Sequence, residues 1–129
     1  MEPSFVIIRN FYNQFKSDYE SRNDSLVMSF LGDSWSAGDG TTLADLQNNL
    51  RRTFKTFDEV RFNLQNLTIE QVSYDVFRIS YDVTITSRIY KRNIKHEEKS
   101  SVVEEVTVDS SSKRAKISRT ISGRFWYIK

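Results

Sequence analysis

The chain contains no cysteine. That excludes a disulfide scaffold, a thiolate zinc site and a cysteine nucleophile. It contains one histidine, His96, so no metal or triad chemistry that needs two is available. Charge of one sign is also scarce. Lys and Arg number 19 against 17 Asp and Glu, a formal balance of +2. A dedicated DNA-binding module would carry a strong basic excess on one element. No apolar run approaches the ~20 residues of a membrane span. The first residues lead into an amphipathic segment rather than an apolar one, so no secretory signal is expected and a cytoplasmic location is the default. Gly38-Asp39-Gly40 lacks the Lys-Ser/Thr end of a phosphate loop and reads as a turn.

What is present is aromatic. The 129 residues are 38% hydrophobic and 13% aromatic, enough for one domain, residues 1–129, with a real core. Phe5, Ile8, Phe11, Tyr12, Phe15 and Tyr19 recur at helical spacing and predict an amphipathic helix capped by Ser4. Leu26, Val27, Phe30 and Leu31 predict a short second helix, capped by Asp24 and ended by Gly32. Thr42 with Asp45 resembles a capping box ahead of a third helix, whose apolar face is Leu43, Leu46, Leu50, Phe54 and Phe57.

After Phe57 the period changes to two. Val60, Phe62 and Leu64 alternate with polar residues, and a bulge at Gln65-Asn66 shifts the parity to Leu67 and Ile69. The clearest strand places Phe77, Ile79, Tyr81, Val83, Ile85 and Ile89 on one face. Lys91 to Lys99 reads as a charged loop. The next strand carries Val102, Val103, Val106 and Val108, and the last runs through Ile117, Ile121, Gly123, Phe125 and Tyr127. One buried and one wetter face imply an antiparallel sheet. A turn centred between Ser111 and Ser112 sets Val102 opposite Ile121, Val106 opposite Ile117 and Val108 opposite Ala115. The same register sets Val103 opposite Thr120, and Glu104 opposite Arg119 on the apolar face.

Three helices, a Trp-containing turn and four long antiparallel strands resemble the nuclear transport factor 2-like superfamily, which includes SnoaL-like cyclases and ketosteroid isomerase. The resemblance rests on Phe11-Tyr12, Phe15, Tyr19, Trp35, Asp39-Gly40-Thr41, Leu43, Leu46, Leu50 and Gly123-Arg124-Phe125-Trp126, and it covers nearly the whole chain. It implies an α+β fold: three N-terminal helices packed in a strongly curved, mainly antiparallel sheet, a cone with a pocket at its open end. It also implies that copies pair through the outer face of the sheet. The family's enzymes use an Asp or Asp/His acid-base group. Here Asp82 has the outward parity, Asp75 and Asp109 lie in turns, and His96 lies in the charged stretch.

The candidate site residues are Trp35, Tyr81, Glu104 and Arg119. Glu104 and Arg119 read either as a structural ion pair lining the cone or as an acid-base group beside a cation. Arg119 could alternatively meet an anionic ligand. Tyr81 reads as core packing with a polar tip or as a donor to a ligand. Trp35 reads as an anchor for its turn or as part of a pocket mouth. The basic pairs Lys91-Arg92 and Lys113-Arg114 read as solvated hairpin tips.

The leading expectation is a small-ligand-binding or accessory domain. A SnoaL-like cyclase or isomerase using Glu104 is the alternative, and a protein-interaction module acting through the outer sheet face is a third. No cofactor, metal, nucleic acid or membrane partner is expected. Val103, Trp126 and Ile128 have the outward parity and predict a homodimer through the convex sheet face. A cavity reaching Glu104 separates ligand binding and catalysis from a cone filled by aromatic side chains.

Overall fold

The structure is a computed structural model, and it describes residues 3–109 and 111–126. Among them, α1 (Pro3–Glu20), α2 (Asp24–Met28) and α3 (Leu43–Thr56) precede β1 (Glu59–Gln71), β2 (Val76–Ile89), β3 (Ile94–Asp109) and β4 (Arg114–Ser122). The strands form one antiparallel sheet in the order β1-β2-β3-β4. The architecture is α+β, with the helices on the concave side of the curved sheet, as the resemblance implied.

Helix α1 supplies more of the core than either other helix. Ile8, Phe11, Tyr12, Phe15 and Tyr19 recur every three or four residues and are all buried, so one stripe of the helix faces the sheet. Phe15 contacts Phe30, Phe62 and Phe125 with ring centroids 5.2 to 5.4 Å apart. Burying each such ring contributes roughly 1.5–3 kcal/mol. The Thr42–Asp45 capping box forms as the sequence predicts. Ser4, in contrast, lies inside α1 rather than capping it. The cap of α2 is Asn23, whose side chain accepts from Leu26 N, and α2 ends at Met28.

Both edges of the sheet are covered along part of their length. On β1, Lys16 Nζ donates to the Phe62 carbonyl (2.9 Å) and the Phe62 amide donates to Glu20 Oε2 (2.8 Å). On β4, the segment 30–38 runs alongside in parallel. Ile117 N donates to Phe30 O, Gly32 N to Ile117 O, Thr120 N to Ser36 O and Gly38 N to Thr120 O, all at 2.8–2.9 Å. This seating holds the Trp35 turn against the strand.

Several expectations need correction. The stretch expected as a charged loop is mostly strand. Only Tyr90–Arg92 forms a 3-10 turn, Asn93 takes a left-handed φ of 53°, and Ile94 to Lys99 pair with Ile89 to Thr84. These β3 residues are mostly exposed although their β2 partners Ile85 and Ser87 are buried, so no burial imposes an alternation on them. The last strand ends at Ser122, and Gly123 turns the chain at φ 71°. Trp126 is therefore not on the convex face. It is fully buried and meets Trp35 edge-on at 6.1 Å. Tyr127 and Ile128 lie outside the described residues.

The β3–β4 register departs furthest from the expected one. Near the turn it is as predicted, with Val108 opposite Ala115 and Val106 opposite Ile117. Two irregularities then intervene, and Glu105 faces Arg119, Glu104 faces Thr120 and Val103 faces Ser122. Each one-residue slip in β4 exchanges its faces. Thr120 turns inward and Arg119 outward, the reverse of the uniform register.

Candidate functional site

The site grows from the centre of β3. Val102, Glu104, Val106 and Val108 alternate toward the helices and all are buried. A carboxyl group therefore takes a position that the strand otherwise gives to valine. Glu104 is 0% exposed, and it is the one carboxyl group buried among the described residues. Such burial is costly unless hydrogen bonds compensate. Tyr12 OH donates to Glu104 Oε1 at 2.5 Å and Tyr81 OH to the same oxygen at 3.2 Å. Thr120 Oγ1 donates to Oε2 at 3.4 Å, and in turn accepts from Trp35 Nε1 at 3.1 Å.

Each partner reaches Glu104 for a local reason. Tyr12 stands on the apolar stripe of α1, two turns from its start. Tyr81 stands on the inward parity of β2, and its ring meets that of Tyr12 edge-on at 5.5 Å. Thr120 faces inward because of the β4 bulge, directly across from Glu104. Trp35 is placed by the parallel contact of residues 30–38 with β4.

No cation balances this carboxyl among the described residues. Arg119 was expected at its side. It lies on the outer face, half exposed, with Nε 2.9 Å from Glu105 Oε1; Arg78 approaches the same Glu105 at 3.4 Å. The pair expected inside thus exists one residue along, outside. Burial pushes the Glu104 carboxyl up to about 7, even though the hydrogen bonds from Tyr12, Tyr81 and Thr120 pull it down. Desolvation wins because three neutral donors cannot replace the hydration of a full charge. Burial, followed by the charge on Glu104, pushes both the Tyr12 and Tyr81 phenols well above their ordinary range. Both therefore stay protonated donors. Near neutrality the site can hold a proton or release it.

Further polar atoms complete the interior. Trp126 Nε1 is buried with no hydrogen-bond partner among the described residues. Above Tyr12, a groove of about 390 Å³ opens between α1 and β1, lined by Arg9, Tyr12, Asn13, Lys16, Leu64, Asn66 and Leu67. The Tyr12 ring separates that groove from Glu104, and only 3% of the residue is exposed.

Of the residues singled out from sequence, Trp35, Tyr81 and Glu104 are brought together and Arg119 is not. Two members of the network were missed. Tyr12 had a signal, since a tyrosine in the apolar stripe of a buried helix needs a partner for its hydroxyl. Thr120 had none, because its parity depends on a bulge that no glycine or proline marks.

No protein-family profile matches the chain, and no curated protein matches it. Solved structures do. A protein provisionally assigned as a scytalone dehydratase from Novosphingobium aromaticivorans DSM 12444 superposes with a TM-score of 0.77 at 12% identity, over 97% of this chain and 89% of that one. Hexachlorocyclohexane dehydrochlorinase LinA-type3 from Novosphingobium barchaimii LL02 gives 0.69 at 21% identity, over 98% and 88%. ActVI-ORFA from Streptomyces coelicolor gives 0.73 at 9% identity, over 95% and 96%. At these identities the likeness establishes the fold alone, the nuclear transport factor 2-like cone.

Proposed function

We propose that this chain, with its nuclear transport factor 2-like fold, is a small-ligand-binding or accessory domain whose enclosed polar centre is Glu104 with Tyr12, Tyr81 and the Thr120–Trp35 relay. One observation carries the reading: a carboxyl group sits at a valine position inside an aromatic core, with three donors and, among the described residues, no cation. An apolar residue there would pack at no desolvation cost, so a purely structural strand has little use for the acid. Groups buried against their own chemistry concentrate at functional sites. Trp126 Nε1, without a partner among the described residues, offers a further donor to a ligand acceptor.

Phenol is a suitable probe, being compact, apolar over most of its surface and able both to donate and to accept one hydrogen bond. Added at millimolar concentration, it should shift the Trp35 Nε1–H signal in 1H–15N spectra of the wild type, and Glu104→Leu should abolish the response. An unperturbed wild-type spectrum argues against a ligand site here.

A second reading is supported by the position of the Glu104 carboxyl near about 7, where an acid-base group works best at neutral pH. Two of the similar structures are named for a dehydratase and a dehydrochlorinase, reactions that remove water and hydrogen chloride. On this reading Glu104 takes a proton from carbon, and Tyr12 and Tyr81, which donate to Glu104 Oε1 in the resting site, turn their single phenol protons to the developing oxyanion. Solvent-deuterium exchange into the α-carbon of cyclohexanone, followed by NMR, tests it. Catalysed exchange by wild type, lost in Glu104→Gln, supports it; equal rates in the two proteins remove it.

A further inference from the structure

We propose that the ligand of this site is a small organic anion, an aromatic or alicyclic carboxylate, held by Arg9 with Lys16 in the groove between α1 and β1; the inference rests on the ligand-binding reading above. Arg9, Tyr12, Asn13 and Lys16 follow one another at three- and four-residue spacing, so α1 presents them on one face. Opposite them stand Leu64, Asn66 and Leu67 of β1. Among the described residues the lining thus holds two cations, two amides and three apolar surfaces, and no carboxylate. The carboxylates nearest by bonding stand behind the lining, on Lys16 and Asn66. Glu20 binds Lys16 at 2.6 Å and the Phe62 amide, while Asp82 accepts from Asn66 and from Ser101.

The two cations differ. Lys16 is divided between Glu20 and the Phe62 carbonyl, which fixes its ammonium group at the groove wall. Arg9 makes no ion pair among the described residues. Its guanidinium can therefore accept a carboxylate in the bidentate geometry that lysine cannot offer. Asn66, at a left-handed φ of 58° in the β1 bulge, is anchored by its bond to Asp82. Tyr12 links the two halves of the site, because the same side chain floors the groove and donates to Glu104. A ring resting on Tyr12, Leu64 and Leu67 would direct a carboxylate outward to Arg9 and keep its far end against the Tyr12 ring, which covers Glu104. The volume suits a ligand of one or two rings.

The test compares 4-hydroxybenzoate with its neutral isostere 4-hydroxybenzamide, titrated by NMR at low salt. Wild type should bind the benzoate about tenfold more tightly, the return of one charge-assisted hydrogen-bonded pair. Arg9→Gln should reduce that preference to within about threefold, and Arg9→Glu should reverse it. Arg9 is exposed, so neither variant threatens the fold, and amide binding in each serves as the internal control. Equal affinity of wild type for both congeners, or a preference unchanged in Arg9→Gln, overturns the anion inference. In that case amide binding that is lost in Glu104→Leu leaves the ligand-binding reading standing. Binding of neither congener to wild type contradicts both.

Discussion

Glu104 makes the stability of this protein depend on pH in an unusual direction. Its carboxyl is raised from 4.5 to about 7 in the folded state. The native protein therefore holds a proton that the unfolded chain releases. The stabilisation is complete below about pH 4.5, declines as pH rises, and is gone above about pH 7; its size is on the order of 3 kcal/mol. Denaturant unfolding of wild type between pH 5 and 8 should show this decline, and Glu104→Gln, which keeps the acceptor but not the titration, should flatten it. A wild-type stability that rises over that range contradicts the assignment. That Glu104 is buried was legible from the parity of Val102, Val106 and Val108. The absence of its cation was not, because Arg119 is carried outward by a backbone irregularity rather than by any side-chain preference.

At the scale of elements, the long alternations were readable and the interruptions were not. Phe77 to Ile85 on β2 and the α1 stripe announce themselves because burial on one face imposes their periods. The Thr42–Asp45 box is likewise local chemistry. The slips in β4, the strand character of Ile94 to Lys99 and the inward turn at Trp126 depend on contacts between elements, which leave no mark on a single segment. Gly123 is the exception, since its side-chain-free backbone is needed twice over. Its φ is 71°, and a Cβ there would stand 2.0 Å from the Ser101 carbonyl oxygen on β3. Gly123→Ala should therefore cost more than the ~1 kcal/mol of a left-handed φ alone, because β4 must also move away from β3. A thermal midpoint within one or two degrees of wild type would show that the chain turns differently after Ser122.

Across the whole molecule, the helices close the cone with aromatic side chains around the Glu104 centre. The convex face carries Arg78, Glu105 and Arg119 as an ion-pair cluster, with Val103 beside them and Trp126 removed to the interior. A homodimer through that face, which remains our proposal on the resemblance, must then close over charged rungs instead of a tryptophan anchor, and light scattering reports it directly. The central claim concerns the interior. Its most direct measurement is the titration of the glutamate side-chain carboxyl carbons by 13C NMR, with Glu104→Gln used to assign the signal. The account predicts one carboxyl titrating at about pH 7 and missing from the variant. All glutamates titrating within the ordinary range near 4.5 would contradict it.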